Sequence, residues 1–106
     1  MRLFRAVRSN PPTKADFTSP WDAGRRPPRP ELEGKWRSVS TFVDFDKAVD
    51  KAAQFNLGDF IAALEVPDTV QKKVDPTGHV DLINATPGEL LACVEQVSIR
   101  EARVTT

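Results

Sequence analysis

The chain holds a single cysteine and a single histidine. With Cys93 alone there is no internal disulfide, which fits a reducing, cytoplasmic compartment rather than a secreted scaffold. One cysteine and one histidine also fall short of the four soft ligands of a structural zinc site. The simplest reading of Cys93 is a small buried residue in an apolar run. Long hydrophobic runs are missing too. The longest clean apolar stretches, such as Phe60 to Leu64, are far shorter than the roughly 20 residues of a membrane span, so no membrane association is expected. No apolar core follows the early arginines Arg2 and Arg5, as a signal peptide would need. The glycine-rich phosphate cradle, the serine elbow of hydrolases and the paired histidines of metalloenzymes are all absent. So is the basic and aromatic pattern of nucleic-acid modules, and nucleic acid is not an expected partner.

What is present fits one ordinary core. The chain has 106 residues, 40% of them hydrophobic, the size and composition of a single domain. Net charge is zero but unevenly divided. Residues 1–37 carry nine Lys/Arg against four Asp/Glu, and residues 38–106 carry six against eleven. A basic N-terminal segment lying on an acidic remainder accounts for this split, and so does an anion site beside the basic segment.

Local patterns give the layout. Leu3 to Val7 reads as a short first strand, stopped by Pro11-Pro12. Six of the nine prolines fall between Pro11 and Pro30, so 9–35 reads as a long Pro/Arg-rich loop. Phe17 and Trp21 would anchor it, with one helical turn between Asp16 and Asp22. Trp36 to Phe42 reads as a strand with Trp36, Ser38, Ser40 and Phe42 on one face. Phe45, Ala48, Val49, Ala52 and Ala53 form the stripe of an amphipathic helix at about 44–55, capped by Thr41 or Asp44 and closed at Asn56 to Gly58. Strands are predicted at 59–66, 70–74 and 79–83. Thr86-Pro87-Gly88-Glu89 is a capping box opening a brief helix at about 86–92. A last strand, 94–99, would turn Val97 and Ile99 inward, and 101–106 would be a frayed tail. The expected fold is α+β: a single small domain with a short-stranded mixed or antiparallel sheet and two helices.

Few residues carry chemistry. His79 is the one imidazole and the natural candidate for general acid–base work, with Asp81 on the same strand face to interact with it. The alternative for His79 is a satisfied strand-end residue. Ser38, Ser40 and Thr41 cluster where a strand meets a helix N-terminus, a place for an anionic ligand. Helix capping by Thr41 with solvated serines explains the same cluster.

Leu3-Phe4-Arg5, then Ser38-Val39-Ser40-Thr41-Phe42, the helix at 44–55 and a strand from Phe60 to Val66 together resemble small ADP-ribosyltransferase-like domains. In that family a first-strand arginine contacts the NAD phosphates, a Ser-Thr-Ser type strand lines the nicotinamide pocket, and a late glutamate orients the ribose. The resemblance implies NAD as a cofactor, Arg5, Ser40 and Thr41 as binding residues, and His79 near the ribose with Glu95 as the acidic group. It covers about half of the chain, and no Gln-x-Glu or Glu-x-Glu motif of the family occurs near the last strand. The whole chain is also similar to small bacterial proteins that share the phrase Arg8-Ser9-Asn10-Pro11-Pro12-Thr13, the Gly78-His79 strand and the Thr86 to Leu91 helix. That similarity brings no activity with it. Two functions stay open: a nucleotide-binding domain, and a non-enzymatic interaction module such as one half of a bacterial two-gene system, meeting a protein partner through 21–37. The module's anchors would be Trp21, Trp36 and the arginines around them.

Overall fold

Leu3 and Val7 point to one side of the first strand and Phe4 and Ala6 to the other, and apolar partners await them on both sides. This strand, β1 (Arg2–Val7), lies inside a six-stranded sheet in a computed structural model that describes residues 1–100. The tail expected at 101–106 lies outside the described residues. The other strands are β2 (Ser38–Phe42), β3 (Phe60–Glu65), β4 (Gln71–Val74), β5 (His79–Ile83) and β6 (Val94–Ile99). Their order is β4-β5-β2-β1-β3-β6, and every neighbouring pair is antiparallel. Three helices accompany the sheet: α1 (Glu33–Trp36), α2 (Phe45–Phe55) and α3 (Pro87–Ala92). The fold is α+β, with the two expected helices in place and the single turn α1 in addition.

Helix α2 covers one face. The Asp44 side chain accepts from the Asp46 N–H at 2.9 Å and caps its start, and Asn56 closes it in the left-handed region at φ 53°. Ala48, Val49 and Ala52 bury against Phe42 and Ile61, with Phe4 edge-on to Phe45 at 5.8 Å. Ala53, expected on this stripe, is exposed because it has rotated past the sheet.

The larger core lies on the other face. Leu3, Val7, Val39, Leu64, Val80 and Leu82 meet Leu90 of α3 and Phe17 of a 3-10 turn at Lys14–Phe17. Burying Phe17 completely is worth about 2–3 kcal/mol and pins the long loop to the sheet. The capping box of α3 is made in full, Thr86 Oγ1 accepting from the Glu89 N–H and Glu89 Oε1 from the Thr86 N–H, each at 3.1 Å. Cys93 caps the far end, partly buried. Burial raises its thiol pKa, with Glu89 adding to the effect.

The loop is more tied than its prolines indicate. The buried Asp16 carboxylate accepts from the Arg8 N–H at 2.8 Å and the Thr13 N–H at 2.9 Å. The Trp21 N–H donates to the Trp36 carbonyl, and the indole lies between the Arg26 and Arg37 guanidiniums, each 3.8 Å from the ring centroid. Trp36 therefore ends a helical turn, closed by the Arg37 N–H to the Glu33 carbonyl, and the strand starts only at Ser38. Val97 packs on the core, but Ile99, at the end of an edge strand with one neighbour, is exposed.

Candidate functional site: a basic cleft where two strands part

The pairing of β1 with β2 rests on one register pair, Phe4↔Phe42, whereas β1 follows β3 from Arg2↔Glu65 to Val7↔Phe60. Beyond Phe4 the two strands part, and the Arg5 side chain fills the gap. Its Nη1 donates to the Ser40 carbonyl at 2.7 Å and its Nε to the Asp16 carbonyl at 2.8 Å. A guanidinium thus stands in for ladder bonds and ties β1, β2 and the loop together. Burial pushes its pKa down to about 10, with the Asp16 carboxylate pulling the other way, so Arg5 is a cation at neutral pH. The residue as a whole is only half-buried because its remaining side faces the cleft.

Over the parting lies a cleft of about 690 Å³, within the range of small-molecule sites. Arg5, Arg8, Lys47, Lys51 and His79 supply its polar wall, with Phe42, Phe55 and Leu57 as apolar surface. A second recess of about 530 Å³ shares Arg5, Ser40 and Leu57 with the first and adds Arg25, Lys35, Thr18 and Ser19. No carboxylate lines either recess. Lys47 and Lys51 sit four apart on α2 and so present both ammoniums to the same side. Lys47 donates to the Thr77 carbonyl, Arg8 donates to the Asn56 carbonyl at 3.2 Å, and Lys51 lies 5.6 Å over the Phe55 ring. Arg5, Arg8, Lys47 and Lys51 form no ion pair with a carboxylate among the described residues. The Asp16 carboxylate still acts on the Arg5 charge.

A polar cluster adjoins the cleft on β2 and β5. Phe42 and His79 are register partners, and their rings stack at 5.2 Å with 25° between planes. His79 Nε2 lies 3.0 Å from Asp81 Oδ1 but out of line with it, so this buried nitrogen has a close carboxylate neighbour and no hydrogen bond. Asp81 is buried, and also takes Lys35 Nζ at 3.1 Å and the Ser40 hydroxyl, its register partner, at 3.4 Å. On the other side of the ring, His79 Nδ1 is 3.9 Å from Asp75 Oδ2. Asp75 is exposed, and hydrogen bonds from the Thr77 hydroxyl and from the Thr77 and His79 N–H groups hold its carboxyl below the ordinary range.

Of the residues singled out from the sequence, Arg5, Ser40 and His79 come together in the cleft. Thr41 does not. Successive strand residues face opposite ways, and the fully buried Thr41 hydroxyl donates to the Val80 carbonyl at 2.8 Å. Glu95 is on β6, four strands from β5 and so about 19 Å away, paired with Arg2 at 3.0 Å. Arg8, Lys35, Lys47 and Lys51 went unnoticed as binding groups. The four-residue spacing of Lys47 and Lys51 was the signal for two of them. Among the described residues no group of three or more metal-ligating side chains gathers, and no helix is long and apolar enough to cross a membrane. Compared with protein-family models, curated proteins and solved structures, the chain matches none.

Proposed function

We propose that the chain binds a phosphorylated nucleotide of the NAD class in the two-lobed cleft. The observation that carries this reading is a wall with Arg5, Arg8, Lys47 and Lys51 and, among the described residues, no lining carboxylate, next to the exposed ring of Phe55. Phosphate oxygens take charge-assisted hydrogen bonds from Arg5, Arg8, Lys47 and Lys51. A base or nicotinamide ring has Phe55 and the stacked Phe42–His79 pair to pack on. Arg5 and Ser40 belong to both recesses, so a pyrophosphate at Arg5 would have room for a nucleoside on either side.

The reading is one of binding. Glu95, the acidic group that the transferase resemblance implies, faces Arg2 at the other edge of the sheet, and transfer chemistry gains no support. The interaction-module reading is weaker on one specific point: Trp21, one of its two tryptophan anchors, is already held between two guanidiniums of its own chain. Titration calorimetry with ADP-ribose tests the proposal. A dissociation constant in the micromolar range is expected, weakened about ten-fold in Lys47→Ala/Lys51→Ala through lost phosphate contacts. No heat at millimolar ligand overturns it.

A further inference from the structure

His79 is the chain's one histidine and lines the cleft, one face of its ring stacked on Phe42. Charged and polar groups face it from every element around it. From its own strand and the preceding turn come Asp81 at 3.0 Å from Nε2 and Asp75 at 3.9 Å from Nδ1. From α1, Lys35 holds Asp81 at 3.1 Å, and from β2 come the Ser40 hydroxyl and the stacked Phe42 ring. On the cleft side, Lys47 of α2 is bonded to Thr77, and Arg5 of β1 reaches the Ser40 carbonyl.

We propose that His79 is a proton-gated cation of the cleft, setting its affinity for a phosphorylated ligand so that binding tightens as pH falls. The inference rests on the nucleotide reading of the same cleft. A carboxylate 3.0 Å from Nε2 favours a proton on that nitrogen over a lone pair, which would oppose the anion. The second proton enters at Nδ1, beside Asp75, whose hydrogen bonds from Thr77 keep it anionic. Lys35 already balances Asp81, so protonating His79 raises the net charge of the site by one. Histidine is the side chain suited to gaining and losing a charge across the physiological pH range. One added charge about 6 Å from a ligand phosphate, in a half-exposed site of effective dielectric near 40, tightens binding about ten-fold.

The test is ADP-ribose affinity from pH 5.5 to 8 at constant ionic strength. Its diester pyrophosphate does not change protonation in that range, so any slope belongs to the protein. The wild type is expected to bind about ten-fold tighter at the acid end, and His79→Gln to bind with an affinity that does not vary with pH. The single imidazole proton resonance supplies a second readout on the unaltered chain. Reciprocal linkage makes its titration midpoint rise by about one pH unit when the cleft is saturated. Constant wild-type affinity with an unmoved midpoint overturns the inference and leaves the nucleotide reading standing. No ADP-ribose binding at any pH overturns both.

Discussion

Arg5→Ala separates what the arginine does for the fold from what it does for a ligand. The substitution removes both donors that hold the parted strands, leaving the Ser40 and Asp16 carbonyls without their bonds at 2.7 and 2.8 Å. Each orphaned carbonyl costs about 1–3 kcal/mol where water cannot replace the donor. Asp16 is buried, so its carbonyl bears most of that cost, while Ser40 borders the cleft and recovers part of it from water. The sum is about 2–3 kcal/mol, which for a domain of this size lowers Tm by roughly 10–20 °C. Stabilities of about 5–15 kcal/mol are ordinary, so the variant still folds at 25 °C and can be titrated. Thermal unfolding followed by circular dichroism gives the first number and calorimetry with ADP-ribose the second. Arg5→Lys keeps the charge but lacks the planar fork, and should recover about half of the Tm loss. A Tm within about 2 °C of wild type in Arg5→Ala would refute the idea that this guanidinium pins the strands.

Two further outcomes follow from the fold around the cleft. Gly58 has φ +142°, and a Cβ there would lie 2.2 Å from the Val7 carbonyl oxygen and 2.6 Å from its carbon, in a strand held by β3. Gly58→Ala should therefore cost about 3 kcal/mol or more, and denaturant unfolding within about 1 kcal/mol of wild type would contradict the placement. Asp75 has a depressed folded pKa, so its stabilising contribution is fully present above the ordinary carboxylate pKa of about 3.9 and is lost as pH falls through the lower folded value. The gap in Tm between wild type and Asp75→Ala should be open at pH 6 and close toward pH 2; a gap that does not change with pH would count against the Asp75-Pro76-Thr77 turn as drawn.

The legible part of this fold is the part written in short periods. The stripe on 45–55 and the capping box at Thr86 each concern residues within a few positions of one another, and both helices stand where those patterns put them. Trp36 misled because a strand pattern and a closing helical turn overlap there, and the Trp21 N–H to Trp36 bond that favours the turn joins residues 15 apart. Thr41 is a different matter. Ser40 and Thr41 are adjacent in a strand, so a pocket open to one cannot be open to the other, and the two-residue period alone was enough to separate them.

The cleft itself could not be read this way, because it exists where a ladder stops. Nothing local to β1 or β2 says that their pairing ends at Phe4↔Phe42, since each strand continues with good strand formers. The cause is non-local: Arg5 reaches Asp16 and Ser40, 11 and 35 positions away, and its side chain stands between the two strands, bonding one carbonyl of β2 and one of the loop. The uneven charge of the chain then takes a spatial form. Arg5 and Arg8 of the basic N-terminal part meet Lys47 and Lys51 of the acidic remainder, so the cleft collects cations from both halves. Of the acidic groups around it, Asp81 is engaged by Lys35, Asp75 by Thr77, and Asp16 by the Arg8 and Thr13 N–H groups. Internal charge complementarity and a cation-lined cleft therefore occur side by side in this structure.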